Sequence, residues 1–127
     1  MKKRILLVDD EVITLKLTKK FLKNNGFDSD IASSSTEAIQ MLTSEKFDLI
    51  VIDITMPTLS GFDLVQLMQS FDITTPVIFL SNNDNEWSIE ESYSLGAKRF
   101  VSKEREFNQL PEIIREVLVQ ENIWLQP

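Results

Sequence analysis

Five short apolar runs punctuate this chain, at 5–8, 29–32, 49–52, 77–80 and 99–102, and a stretch with helical spacing follows each. Ile5-Leu6-Leu7-Val8 and Leu49-Ile50-Val51-Ile52 are apolar at every position, the pattern of strands buried on both faces. Ser29-Asp30-Ile31-Ala32 is weaker. Between the runs, Ile13, Leu17 and Phe21 recur every four residues, and Gly26 follows as a helix stop. Ser35 and Thr36 precede Glu37, Ala38, Ile39, Met41 and Leu42, a capped second helix. A third helix over 61–71 carries Phe62, Val65, Leu67 and Met68, and ends in a loop over 72–76. The fourth, 86–95, is short and unusually polar and stops at Gly96; the fifth, 109–121, has Pro111 in its first turn. Five strand-then-helix units with short connections predict an α/β domain, a doubly wound five-stranded parallel sheet with five helices and right-handed crossovers. One domain spans 1–121, and 122–127 is a short tail whose Ile123, Trp124 and Leu125 suit docking on the body or on a partner.

Composition removes several chemistries. The chain has no Cys and no His, which excludes disulfides, thiolate metal sites, imidazole catalysis and His-ligated zinc. The net charge of −7 argues against nucleic-acid binding by this chain, since neutralising phosphates needs a basic face. Lys16, Lys19, Lys20 and Lys23 read as the solvated face of the first helix rather than an anion patch. No apolar stretch approaches the length of a membrane span, and Met-Lys-Lys-Arg runs straight into a strand, so a cytoplasmic location is expected.

The chemistry gathers at the ends of the runs. Asp9 and Asp10 close the first, Asp53 closes the third, Ser81 follows the fourth and Lys103 follows the fifth. In a doubly wound sheet these positions share one rim, where ligands bind. Neighbouring strands lie about 4.8 Å apart, so Asp9 or Asp10 could share one ion with Asp53 if their strands are adjacent. Magnesium takes about six oxygens and keeps several waters, so two carboxylates and one carbonyl are a reasonable protein share. A carboxylate that accepts phosphoryl becomes an acyl phosphate, and a hydroxyl and an ammonium nearby would serve its new oxygens. Duller roles exist for each residue: Asp9 or Asp10 as a helix cap, Asp53 at a turn, Lys103 as a surface charge.

The segments Ile5 to Glu11, Phe47 to Pro57 with Gly61-Phe62, Pro76 to Ser81, and Gly96 to Lys103 resemble the receiver domain of two-component response regulators. The match runs from Lys3 to about Gln120. The resemblance implies a flavodoxin-like receiver fold with strand order 2-1-3-4-5. It implies a phosphoacceptor at Asp53 and Mg2+ (Mn2+ able to substitute) held by Asp9, Asp10, Asp53 and the Thr55 carbonyl. Ser81 and Lys103 would contact the phosphoryl group, and Phe100 matches the switch aromatic. Thr55 and Asn83 stand where the family tunes acyl-phosphate lifetime. The implied donor is a histidine kinase or histidine phosphotransfer protein. The output face would be the fourth helix, fifth strand and fifth helix, acting on a downstream protein partner or a separate output domain. A homodimer through the fourth and fifth helices is open within the family.

The chain departs from the pattern in two places. Glu104 follows Lys103 where the family generally has Pro behind a cis bond, so the bond is either strained or trans with Lys103 aimed differently. Asn82 stands where the family favours Ala or Gly. Trp87 is either a core anchor or an exposed contact, and its polar neighbours favour the contact. The polar fourth helix fits a mobile output element. The expected function is a signalling module, not an enzyme beyond assisting its own phosphorylation and dephosphorylation. No output domain follows Gln120, so it acts alone or is a fragment. A phosphorylation-independent receiver-like interaction module is the alternative. An Asp-nucleophile phosphatase would need an acid where Thr55 stands, and a flavin-binding reading would need a phosphate cradle elsewhere than Ser33 to Thr36.

Overall fold

Each apolar run is a strand: β1 (Ile5–Val8), β2 (Ser29–Ala32), β3 (Leu49–Ile52), β4 (Val77–Ser81) and β5 (Arg99–Ser102). The computed structural model describes residues 3–121; the tail 122–127, with the docking expected of Ile123, Trp124 and Leu125, lies outside them. All pairings are parallel, in the order β2-β1-β3-β4-β5. Helices alternate with the strands: α1 (Val12–Asn24), α2 (Ser35–Ser44), α3 (Gly61–Ser70), α4 (Glu86–Ser94) and a last helix, α6 (Leu110–Gln120). Between β5 and α6 the chain makes an additional single turn, α5 (Lys103–Glu106), and a 3-10 turn over Phe107–Gln109. The five long helices are thus those expected, and the extra turn begins on the lysine of the rim.

Strand alternation divides the core in two. Leu6, Val8, Ile50, Ile52, Phe79 and Phe100 face α2 and α3, with Ala38, Leu42, Leu64 and Met68. Ile5, Leu7, Leu49, Val51, Ile78, Leu80 and Val101 face α1 and α6, with Leu15, Leu22, Ile114 and Leu118. Each fully buried Leu or Ile contributes about 1.5–3 kcal/mol of transfer free energy, so these two layers hold the sheet.

The first helix turns its four-residue repeat away from the sheet. Ile13 and Leu17 lie on its outer face, 76% and 63% exposed, and the buried face is Leu15, Thr18 and Leu22. Phe21, at the end of the same stripe, is half-buried and stacks on Phe107 at 5.1 Å between ring centroids. A four-residue repeat marks a helix but not which side meets the sheet. The lysines of α1 are exposed as expected. Gly26 and Gly96 sit at φ +91° and +94°, left-handed positions where glycine ends a helix without a Cβ penalty. The serines after β2 make a helix cap: Ser34 Oγ accepts from the Glu37 N–H at 3.1 Å, and Ser35 Oγ donates to the Leu59 carbonyl at 3.0 Å.

The fourth helix is seated differently from the others. Its buried residues are Ser88 and Ser92, and the Ser88 hydroxyl has no hydrogen-bond partner. Ile89 and Leu95, both partly buried, pack against the core. Trp87 is 63% exposed, meeting the edge of Phe62 at 5.9 Å, as expected of a contact residue.

Candidate functional site

The order of strands reverses between β1 and β3, and the acidic residues emerge there. Val8 and Ile52 are register partners, the Asp53 N–H donates to the Val8 carbonyl at 2.9 Å, and Asp9 and Asp53 therefore leave the sheet side by side. Both are buried, whereas Asp10 is exposed at the mouth. One carboxylate oxygen from each of the three lies within 4.8 Å of the others. Asp10, Glu11, Asp53, Thr55, Ser81, Asn82, Asn83 and Lys103 line an open cleft of about 450 Å3 above them.

Lys103 supplies the cation. Its Nζ donates to Asp9 Oδ2 at 2.5 Å and approaches Asp53 Oδ2 at 3.5 Å. Every peptide bond among the described residues is trans, including Lys103–Glu104, and the ammonium reaches the carboxylates from that backbone. The remaining carboxylate oxygens have local partners. Asp9 Oδ1 accepts from the Glu11 N–H at 3.0 Å in a local turn just before α1, whose N-cap, Glu11, has no side-chain cap. Asp53 Oδ1 accepts from the Thr55 N–H at 3.4 Å.

Burial dominates the electrostatics of Asp53, raising its pKa above the ordinary carboxylate value. The charge of Lys103 opposes this, the charge of Asp9 adds to it, and hydrogen bonds from Ser81 and Thr55 oppose it again. For Lys103, burial alone would lower the pKa, but the bond to Asp9 and the charges of Asp53 and Asp9 outweigh it, and the net direction is up. The lysine therefore stays charged through the neutral range, while burial works against the charged form of Asp53 and Lys103 works for it.

Two further features back the site. The Gly61 N–H donates to the Ile54 carbonyl at 2.8 Å, and a Cβ on Gly61 would stand 2.3 Å from the Asp53 carbonyl oxygen. The start of α3 can press against the backbone of Asp53 only because residue 61 has no side chain. On the far side, the Ser81 hydroxyl accepts from the Asn83 N–H at 3.1 Å, and Asn83 Oδ1 accepts from Asn85 Nδ2 at 2.7 Å.

Of the residues singled out in the sequence, Asp9, Asp10, Asp53, Thr55, Ser81, Asn83 and Lys103 come together at this rim. Phe100 does not reach the cleft: its ring is buried in the core layer that holds Ile54, Met56 and Phe79, and its N–H donates to the Tyr93 hydroxyl at 3.1 Å. Sequence reading passed over Asp84, Ser102, Arg105 and Glu106. Ser102 with an acid four residues on is close to a capping box, whose acid stands at three, and that near-match was the available signal.

Residues 5–115 match the model of the response regulator receiver domain, and the chain belongs to that family of two-component signalling domains. It is 29% identical over 125 residues to the probable transcriptional regulator ycf29 of Porphyra purpurea, covering 97% of this chain and 60% of that protein. It is 33% identical over 103 residues to the alkaline phosphatase synthesis transcriptional regulatory protein PhoP of Bacillus subtilis, covering 81% of this chain and 43% of that one. The chain thus spans less than two thirds of the length of these relatives. Among solved structures, a CheY-like receiver domain protein from Methanospirillum hungatei superposes with a TM-score of 0.87 at 27% identity, covering 96% of this chain and 98% of that one. The response regulator TrrA of Thermotoga maritima, solved in complex with Mg2+-BeF, has a TM-score of 0.80 at 31% identity, covering 91% and 99%.

The donor set here is all hard oxygen, three carboxylates with the Thr55 backbone beside them, and it fits a magnesium-sized cation better than a soft metal. No helix among the described residues is long and apolar enough to cross a membrane.

Proposed function

We propose that residues 1–121 form a phosphoacceptor module in which Asp53 takes a phosphoryl group from a histidine kinase or histidine phosphotransfer protein. The observation that carries this reading is the pairing of a buried Asp53 with Lys103 and Asp9 beneath an open cleft. A buried carboxylate that merely stabilised the fold would gain from closure; this one faces an opening wide enough for a phosphoryl group.

In the proposed reaction an Asp53 oxygen attacks the phosphorus of a phosphohistidine in line. The phosphorus–nitrogen bond breaks, the electron pair returns to the imidazole, and an acyl phosphate remains on Asp53. Asp9, Asp10, Asp53 and the Thr55 carbonyl would hold Mg2+, which when bound supplies charge neutralisation and alignment. Lys103, released from part of its interaction with Asp53, pairs with a phosphoryl oxygen, and Ser81 donates to another. Thr55 and Asn83, at the cleft wall, control the approach of the hydrolytic water. The fixed charge at Asp53 rises from one negative to roughly two, and the arrangement of Ser81 and its loop responds. Phe100, already packed inward, stabilises the responding state when β4 shifts. The loosely seated α4, with β5 and α6, carries the change to a protein partner or an appended output domain. A cytoplasmic location and the absence of direct nucleic-acid contact by this chain belong to the same reading.

The donor face is supported by α1. Ile13 and Leu17 form an apolar stripe on the helix that starts two residues beyond Asp10, the kind of surface a donor helix packs against.

The test is intact-protein mass after incubation with acetyl phosphate, with and without Mg2+, beside Asp53→Asn. A Mg2+-dependent gain of one phosphoryl group that the mutant lacks is the expected result. No gain, with a donor that labels another receiver, overturns the reading in favour of a phosphorylation-independent module.

A further inference from the structure

A lysine stem has four rotatable bonds and does not aim its own ammonium, so the backbone of residues 102–103 must set the direction of Lys103. That backbone is held by side chains with no other task at the site. Ser102 pairs in register with Ser81 across β4 and β5 and is 1% exposed. Its N–H donates to Glu106 Oε1 at 3.0 Å. Its hydroxyl donates to Asp84 Oδ2 at 2.9 Å and accepts from the Arg105 N–H at 3.3 Å. The Arg105 guanidinium meets the same Asp84 oxygen at 2.8 Å. Asp84 belongs to the loop that follows Ser81, so one carboxylate ties that loop to the turn that begins with Lys103.

We infer that Ser102, with Asp84 and Glu106, is a positioning residue that aims Lys103 at the phosphoryl site; this rests on the phosphoacceptor reading above. Ser102 caps α5, a turn of four residues whose first is Lys103. A cap on a single turn contributes little as helix stability, because the turn is far shorter than a helix that holds itself together. What the cap does fix is the exit direction of its first residue. The Ser102 hydroxyl gives one bond and receives one, and the two partners fix its orientation. Two consequences follow. Loss of the hydroxyl lets the turn swing and Lys103 leave the carboxylates. A shift of the Ser81 loop pulls on Lys103 through Asp84, so hydroxyl and ammonium move as a pair.

The test uses beryllofluoride with Mg2+ as a phosphoryl mimic, Mg2+ alone as a control, and the variants Ser102→Ala, Ser102→Thr, Lys103→Ala and the double Ser102→Ala/Lys103→Ala. Ser102→Ala should weaken beryllofluoride binding about tenfold, the worth of one charged hydrogen bond lost from the phosphoryl oxygens, with Mg2+ affinity changed less than about twofold. Ser102→Thr, which keeps the hydroxyl, should recover most of the loss. In the Lys103→Ala background the serine substitution should cost less than about twofold, the coupling expected when one residue acts only through the other. A metal-free readout accompanies it. Acylation of the Lys103 amine by a small amine-reactive reagent, mapped by mass spectrometry, should be several-fold faster in Ser102→Ala, as the ammonium leaves Asp9. Asp84→Asn, with a partly exposed side chain, gives a second variant should Ser102→Ala fold poorly, and should shift both readouts the same way. An equal loss in both Lys103 backgrounds, or unchanged lysine labelling, overturns the inference. A parent that binds no beryllofluoride sinks the phosphoacceptor reading instead, while the labelling still reports on the aim of Lys103.

Discussion

Gly61→Ala separates local preference from tertiary packing most sharply. Gly61 is the first residue of α3, capped by Ser60 and Asp63 in a reciprocal capping box. Helix propensity alone favours the change, since Ala is better than Gly by up to about 1 kcal/mol in a helix. The structure reverses the sign. The new Cβ would stand 2.3 Å from the Asp53 carbonyl oxygen, 2.9 Å from Ile54 Cα and 3.0 Å from the Asp53 carbonyl carbon, where ordinary contact begins at 3.4 Å. Something must move by about 1 Å, and all three neighbours are backbone, so no flexible side chain can give way. Overpacking of this kind costs about 1–3 kcal/mol, and rigid neighbours place this case near 3. At roughly 3–4 °C per kcal/mol for a domain of this size, the melting temperature falls by about 10 °C. Urea unfolding of parent, Gly61→Ala and Gly96→Ala checks it. Residue 96 has open space for a Cβ but φ of +94°, so its loss is the left-handed strain alone, about 1 kcal/mol. The yielding atoms belong to the residue that carries the site, so Gly61→Ala should also weaken Mg2+ binding while Gly96→Ala does not. A Gly61→Ala protein as stable as the parent within about 0.5 kcal/mol would refute the reasoning, since the backbone would then have relaxed at no cost.

Three more outcomes are expected. Replacing Lys103 with Ala leaves Asp9 and Asp53 facing each other without a cation, and stability in chelator should drop by about 3 kcal/mol, the scale for breaking a buried pair; calorimetry with and without Mg2+ should show the ion restoring more stability to the variant than to the parent. Asp53, its folded pKa raised chiefly by burial, binds its proton more tightly folded than unfolded. Its contribution is therefore fully favourable below the ordinary carboxylate pKa of about 3.9 and is lost as pH rises through the raised value. Metal-free unfolding from pH 4 to 7 should show the parent losing stability relative to Asp53→Asn, and a constant difference would contradict this. Ile13→Ser with Leu17→Ser should leave stability within about 0.5 kcal/mol, as for exposed positions generally, while slowing phosphotransfer from a phosphotransfer protein but not from acetyl phosphate.

Much of the fold was legible because a buried parallel strand announces itself as an unbroken apolar run and its end as the first charge. Asp9, Asp53 and Lys103 could be placed on one rim from those run ends, with no contact known. Periodicity carried less. Ile13, Leu17 and Phe21 show where α1 runs, yet the sheet lies against Leu15, Thr18 and Leu22, because a helical repeat has the same period whichever side is covered. The seat of α4 on Ser88 and Ser92 was likewise invisible, since small polar residues are buried by the approach of the sheet and not by their own hydrophobicity. Gly61 reads as a weak helix start until the Asp53 backbone is seen against it. The ties of Ser102 to Asp84 and of Lys103 to Asp9 span 18 and 94 residues of chain. Sequence by itself determined the strands, the charges at their ends and the resemblance to the receiver family. Which helix faces are buried, and which side chains hold Lys103 on target, were decided only when strand pairing brought distant segments together, because packing and side-chain geometry depend on neighbours that local sequence does not contain.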